Sequence, residues 1–133
     1  MDVLDRVVLI TGASSGVGAA LAGKLAGMGA RVVVNYSRSA EAAQAVVSHI
    51  TSAGGQALAV QADVSEEADC KQLVAATIEQ FGQLDALVNN AGTPTFVPHD
   101  QLADLTEDIW LLPLQVNLVG AFMMSRAVAP HIE

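Results

Sequence analysis

With 133 residues, the chain is long enough for one compact domain and short for two. Its residues are 52% hydrophobic and 15% charged, with a mean hydropathy of +0.43, an apolar excess that implies surface meant to be covered by something else. Six Lys and Arg against fourteen Asp and Glu give a net charge of -8, which excludes the basic face that nucleic acid demands, and the single Cys70 excludes an internal disulfide and fits a reducing compartment.

The start, MDVLDRVVLI, carries two aspartates and one arginine and is no export signal. No apolar run is expected to approach the roughly 20 residues of a membrane span. A cytoplasmic protein without membrane or nucleic-acid partners is therefore expected.

RVVLI (6–10), RVVVN (31–35), ALAVQADV (57–64) and LDALVNN (84–90) read as strands. They are rich in Val and Leu and mostly lack polar alternation, as strands buried on both faces of a parallel sheet do. Helical spacing fills the gaps. The first helix runs from about Gly16 to Met28 and stops at Gly29, a natural left-handed cap. The second follows Ser39, an expected N-cap, and runs to about Ser52. The third follows Ser65, with Glu66, Glu67 and Asp69 in its first turn, and ends near Phe81–Gly82. Residues 93–108 then read as a loop with a short helix, and 109–133 as one long apolar helix interrupted by Pro113 and Pro130. Alternating strands and helices predict a Rossmann-type, doubly wound α/β sheet. LDALVNN would be an apolar edge strand, which natural proteins avoid, so the expectation is a single dinucleotide-binding domain over 1–133, truncated after its fourth strand and the long following helix.

TGASSGVG (11–18) joins the first strand to the first helix. Such a turn presents free backbone N–H groups and the positive end of a helix dipole, a ready site for phosphate. Gly12 takes the tight turn, Gly16 lets backbone approach a ligand, Gly18 permits close packing, and Ser14 and Ser15 add hydroxyl donors. The plainer alternative is an ordinary turn with glycines for geometry alone.

The spacing G-x-x-x-G-x-G, with ADV at 62–64, NNAG at 89–92 and Trp110 followed by Asn117, resembles the short-chain dehydrogenase/reductase family over the whole chain. In style the chain is similar to the first half of 3-oxoacyl carrier-protein reductases and bacterial glucose dehydrogenases. The resemblance implies that Gly12, Ser14, Ser15, Gly16, Val17 and Gly18 hold the cofactor pyrophosphate. It implies that Asp63 and Val64 contact the adenine, that Asn90, Ala91 and Gly92 line the cofactor, and that Asn89 braces the sheet. Asn117 matches the family asparagine that holds a water in the proton relay.

Sites that prefer NAD place an acidic residue at the end of the second strand, for the ribose 2′-OH. Tyr36, Ser37 and Arg38 stand there, with no carboxylate to repel a 2′-phosphate and with Arg38 available to pair with it. NADP(H) is therefore favoured and NAD(H) stays open; a solvated Arg38 is the alternative reading.

Enzymes of this family pass a hydride between nicotinamide and a carbonyl or alcohol carbon. Their proton moves through a tyrosine whose pKa is lowered by a lysine four residues later, helped by a serine and an asparagine. The one tyrosine is Tyr36, with Ala40 four residues on, and Lys24 and Lys71 lie in earlier helices. Only Asn117 of that group falls within 1–133, so this stretch alone should be inactive. An NADP(H)-dependent oxidoreductase is expected for the parent protein, acting on a small carbonyl or alcohol and assembled as a tetramer through the long helix. The alternatives are a nucleotide-binding module without catalysis and a remnant with no independent fold. Pro94, Pro98 and His99 lie in a segment that faces the active site in the family, Pro113 should bend the long helix near Asn117, and "FMMS" (122–125) reads as interface or core packing. His49, His99 and His131 lack metal-ligand spacing, so no metal is expected, and Cys70 reads as inert.

Overall fold

Valines and leucines at successive strand positions send side chains to opposite faces, so a strand made only of them needs cover on both. The computed structural model, which describes residues 2–132, supplies that cover. Strands β1 (Val7–Ile10), β2 (Arg31–Tyr36), β3 (Gln56–Gln61) and β4 (Ala86–Val88) form one parallel sheet in the order β3-β2-β1-β4. Helices α1 (Gly16–Gly27) and α2 (Ala40–Ser52) cover one face, and α3 (Glu67–Phe81) with the C-terminal helix covers the other. Val8, Ile10, Val32 and Val34 pack with Ala22, Ala26 and Val47. Val7, Leu9 and Val33 pack on the opposite side with Leu73, Val74, Met124 and Val128. The sheet is thus doubly wound, as the sequence led us to expect.

Several boundaries move. β3 stops at Gln61, because Asp63 to Ser65 turn away from the ladder, and β4 keeps only three residues. Beyond β4, Asn89 and Asn90 spend their side chains on other elements: Asn89 Nδ2 donates to Ser125 Oγ (3.1 Å) and Asn90 Nδ2 to the Thr11 and Gly12 carbonyls (3.0 Å each). Asn89 therefore braces strand to helix, beyond the expected role in the sheet. Glu66 is the N-cap of α3 and not part of its first turn, since Ser65 bonds back to Asp63 instead. Ser39 does sit at the N-cap of α2, without a side-chain cap bond. Gly29 follows the cap of α1 at φ +90°.

The largest departure is the C-terminal helix. Pro113 does not interrupt it: α4 (Glu107–Leu114), a π turn (Gln115–Gly120) and α5 (Ala121–Val128) run on continuously into a short 3-10 end (Ala129–His131). A proline cannot donate to the carbonyl one turn back, and the widened turn begins just beyond it. Pro130 lies in the 3-10 end. Contrary to the expectation of no such run, Glu107–His131 is long and apolar enough, by length and composition, to cross a membrane. Isolated charges such as Asp108 and Arg126 break the run to the eye without changing its average character. The helix is nevertheless tied into the domain. Met124 and Val128 are core residues, Arg126 Nη2 lies 2.8 Å from Glu67 Oε1 on α3, and a Cβ on Gly120 would sit 2.9 Å from Val64 Cγ2. Its other side leaves Trp110, Leu114, Leu118 (64% exposed) and Phe122 in the open.

Candidate cofactor site

The carboxyl ends of β1, β2, β3 and β4 open on a single cavity of about 470 Å³. Such a crevice, outside the strand ends of a doubly wound sheet, is where ligands of this fold class lie. Gly12, Ser14, Ser15, Tyr36, Ser37, Arg38, Asp63, Val64, Asn90, Ala91 and Gly92, from four separate segments, all line it. Gly16, Val17, Gly18 and Asn117 stand outside that lining. Val17 is 78% exposed, and Gly18 is buried behind the turn.

Two glycines of the turn are required by geometry. Gly12 has φ +61° and passes so close to β4 that a Cβ would lie 2.8 Å from Ala91 Cα. Gly16 has φ +56°, and the space its Cβ would enter is open. The first N–H groups of α1 have no intrahelical partner, and Ser15 gives them no side-chain cap. α1 also has no acidic residue in its first turn, where α2, α3 and α4 have one or more. Its positive end is thus left unneutralised beside the cavity, an arrangement suited to an anionic group such as a pyrophosphate.

The turn is held from two sides. From β4, Thr11 Oγ1 accepts the N–H groups of Asn90 and Ala91 (3.0 Å each), while Asn90 Nδ2 holds the Thr11 and Gly12 carbonyls. From β2, Asn35 Oδ1 accepts the Gly12 N–H at 3.1 Å. Neither Thr11 nor Asn35 stood out in the motif. The signal that marks them is a polar residue at the carboxyl end of a run of Val, Leu and Ile, Thr11 just beyond β1 and Asn35 next to last in β2.

At one end of the cavity, Tyr36 closes β2, and Gln61 Nε2 donates to the Ser37 carbonyl at 3.0 Å, fixing the segment that carries Arg38. Nearby, Asp63 Oδ1 accepts from Ser65 N (2.9 Å) and Ser65 Oγ (2.6 Å), and Gln115 Nε2 reaches the Ser65 carbonyl (3.2 Å). Under this wall Cys70 donates to the Val64 carbonyl at 3.3 Å. Its thiol pKa is pushed up by burial, and further by the carboxylates of Asp69 and Asp63, which fits an unreactive core residue. At the opposite end Asn117, in the π turn, exchanges two bonds with one backbone unit: Oδ1 accepts Thr93 N (2.8 Å) and Nδ2 donates to Thr93 O (3.2 Å). The helix thereby fixes the stretch beyond Gly92. His49, His99 and His131 join no group able to hold a metal among the described residues.

The family model for short chain dehydrogenase matches residues 6–133. The chain belongs to that family. The chain is 43% identical over 126 residues to the 3-oxoacyl-[acyl-carrier-protein] reductase of Synechocystis, which agrees with the resemblance seen in its motifs. The match covers 93% of this chain and 49% of that protein. A short-chain dehydrogenase from Burkholderia cenocepacia, solved in complex with NADP, superposes with a TM-score of 0.91 at 41% identity, over 99% of this chain and 53% of that one. The short-chain dehydrogenase/reductase homolog YusS of Bacillus subtilis is 45% identical over 109 residues, 82% of this chain and all of that protein. The chain thus spans about half the length of the larger curated relatives it matches. As a family these proteins are oxidoreductases that bind nicotinamide cofactors.

Proposed function

We propose that the protein is an NADP(H)-dependent oxidoreductase acting on a carbonyl or secondary alcohol, and that residues 1–133 supply its cofactor half. The observation that carries this reading is the end of the cavity lined by Tyr36, Ser37 and Arg38, a segment that brings a guanidinium and no carboxylate to face a 2′-phosphate. The NADP bound to the Burkholderia relative supports it.

In this reading the turn from Gly12 to Gly18 and the open N-terminus of α1 bind the pyrophosphate. Asp63, whose Oδ1 is held by Ser65, accepts from the adenine amine, and Val64 packs against the ring. Asn90, Ala91 and Gly92 line the path toward the reacting end, and Asn117 orders the Thr93 backbone there and serves the proton relay. The nicotinamide, when bound, supplies or accepts the hydride. The serine and the Tyr-x-x-x-Lys pair of the family have no counterpart within 1–133 and would have to come from elsewhere.

Titration with both dinucleotides tests the proposal. A charge-assisted bond contributes about 1.5–3 kcal/mol, so NADPH should bind about 10- to 150-fold more tightly than NADH. Equal affinities would remove the preference, and binding of neither would remove the site. We further propose that the exposed face bearing Trp110, Leu114, Leu118 and Phe122 is covered by a second copy of the protein. Sedimentation velocity should then show a dimer or tetramer, and Leu118→Glu should shift it to the monomer.

A second reading is favoured by the match that spans all of YusS: a nucleotide-binding module without catalysis. NADPH binding without oxidation by any ketone or aldehyde offered would select it when observed for the whole protein, since residues 1–133 alone are inactive in both readings.

A further inference from the structure

Asn35, on β2, is among the residues that line the cavity, and it is 1% exposed. Burying a carboxamide is costly unless its donors and acceptor are all used. Here they are. Oδ1 accepts the Gly12 N–H (3.1 Å), and Nδ2 faces the carbonyls of Ala62 (3.1 Å) and Val60 (3.3 Å) beyond and within β3. The backbone carbonyl of the same residue accepts the Ala13 N–H at 2.8 Å. One residue of β2 thus ties the turn after β1 to the end of β3.

Resting on the dinucleotide reading of the cavity, we infer that Asn35 is a positioning residue: its carboxamide sets the backbone of the glycine turn so that the N–H groups following Ala13 face the ligand. The two N–H groups at the start of the turn are consumed by Asn35, which leaves those at the start of α1 for an anion. Only a carboxamide meets the demand on both sides. Aspartate would set a carboxylate against the Val60 and Ala62 carbonyls, and leucine would leave the Gly12 N–H and both carbonyls without their partner. Asn35 needs no contact with the cofactor to act in this way.

The inference separates from an ordinary core role by ligand. NADPH uses the turn, whereas 2′-AMP carries the adenine and the 2′-phosphate but no pyrophosphate. For Asn35→Leu the Kd of NADPH should rise at least 10-fold while that of 2′-AMP stays within about 2-fold, one factor of ten corresponding to about 1.4 kcal/mol. Should the leucine variant fail to fold, Asn35→Thr, which suits a strand and keeps a single hydroxyl, should show the same selective loss at 3-fold or more. Parallel weakening of both ligands, or unchanged NADPH affinity in a folded variant, would overturn the inference. Wild-type protein that binds neither ligand would instead overturn the dinucleotide reading beneath it.

Discussion

Gly18→Ala should lower the melting temperature by about 10 °C and weaken NADPH binding at least 10-fold, whereas Gly23→Ala in the same helix should raise it by a few degrees. The two substitutions add one methyl group each to α1 and differ only in what the methyl meets. At Gly18 it would lie 2.5 Å from Asn90 Nδ2, 2.8 Å from the Gly12 carbonyl and 2.9 Å from Ala13 Cα. Two of those three atoms are backbone, so the turn itself must shift. Overpacking of this kind costs about 1–3 kcal/mol. Displacing Asn90 also loosens its bonds to the Thr11 and Gly12 carbonyls, adding on the order of 1–3 kcal/mol if they are left unpaired. For a domain of this size each kcal/mol moves the midpoint by about 3–6 °C. At Gly23 nothing lies within 4 Å, and alanine in a helix interior gains about 0.5–1 kcal/mol over glycine. Thermal melts of the two variants side by side, with NADPH titrations of each, check the pair. Equal melting points would mean that the turn tolerates the shift and that its glycine spacing is not fixed by Asn90.

That contrast also shows what the sequence could disclose. A turn with φ above zero at Gly12 and Gly16 leaves glycine as the economical residue, so the backbone's demand is written in residue type. The buried strands were legible for the same reason, since a run of Val and Leu needs cover on both faces. Asn35 was not legible. Its function depends on the Val60 and Ala62 carbonyls more than twenty residues away, and an asparagine near the end of a strand looks the same whether or not those carbonyls are there. The end of β4 was read as strand through Asn90, because nothing local reveals that both asparagines leave the ladder to hold Ser125 and the glycine turn. Pro113 announced a disturbance but not its form: the helix widens into a π turn and stays continuous, and that turn presents Asn117 to Thr93.

The double substitution Tyr36→Asp, Arg38→Ala should weaken NADPH about 100-fold and strengthen NADH several-fold. Tyr36 ends β2 at the cavity's edge, and its register partner Gln61 also holds the Ser37 carbonyl, so the exchange leaves the backbone frame in place. Into that frame the aspartate brings a carboxylate that accepts the ribose hydroxyls of NADH and repels a 2′-phosphate. Removing Arg38 takes away a charge-assisted bond of about 1.5–3 kcal/mol, which is about 10- to 150-fold in affinity by itself. Because Arg38 is exposed and screened by solvent, Arg38→Ala alone should account for the low end of that range, about 10-fold, and salt should reduce the difference further. Competitive titration of both cofactors, at low and high ionic strength, separates the two contributions. Unchanged NADPH affinity in the double variant would mean that the 2′-phosphate lies away from this end of the cavity, and that the missing carboxylate reflects geometry and not cofactor choice.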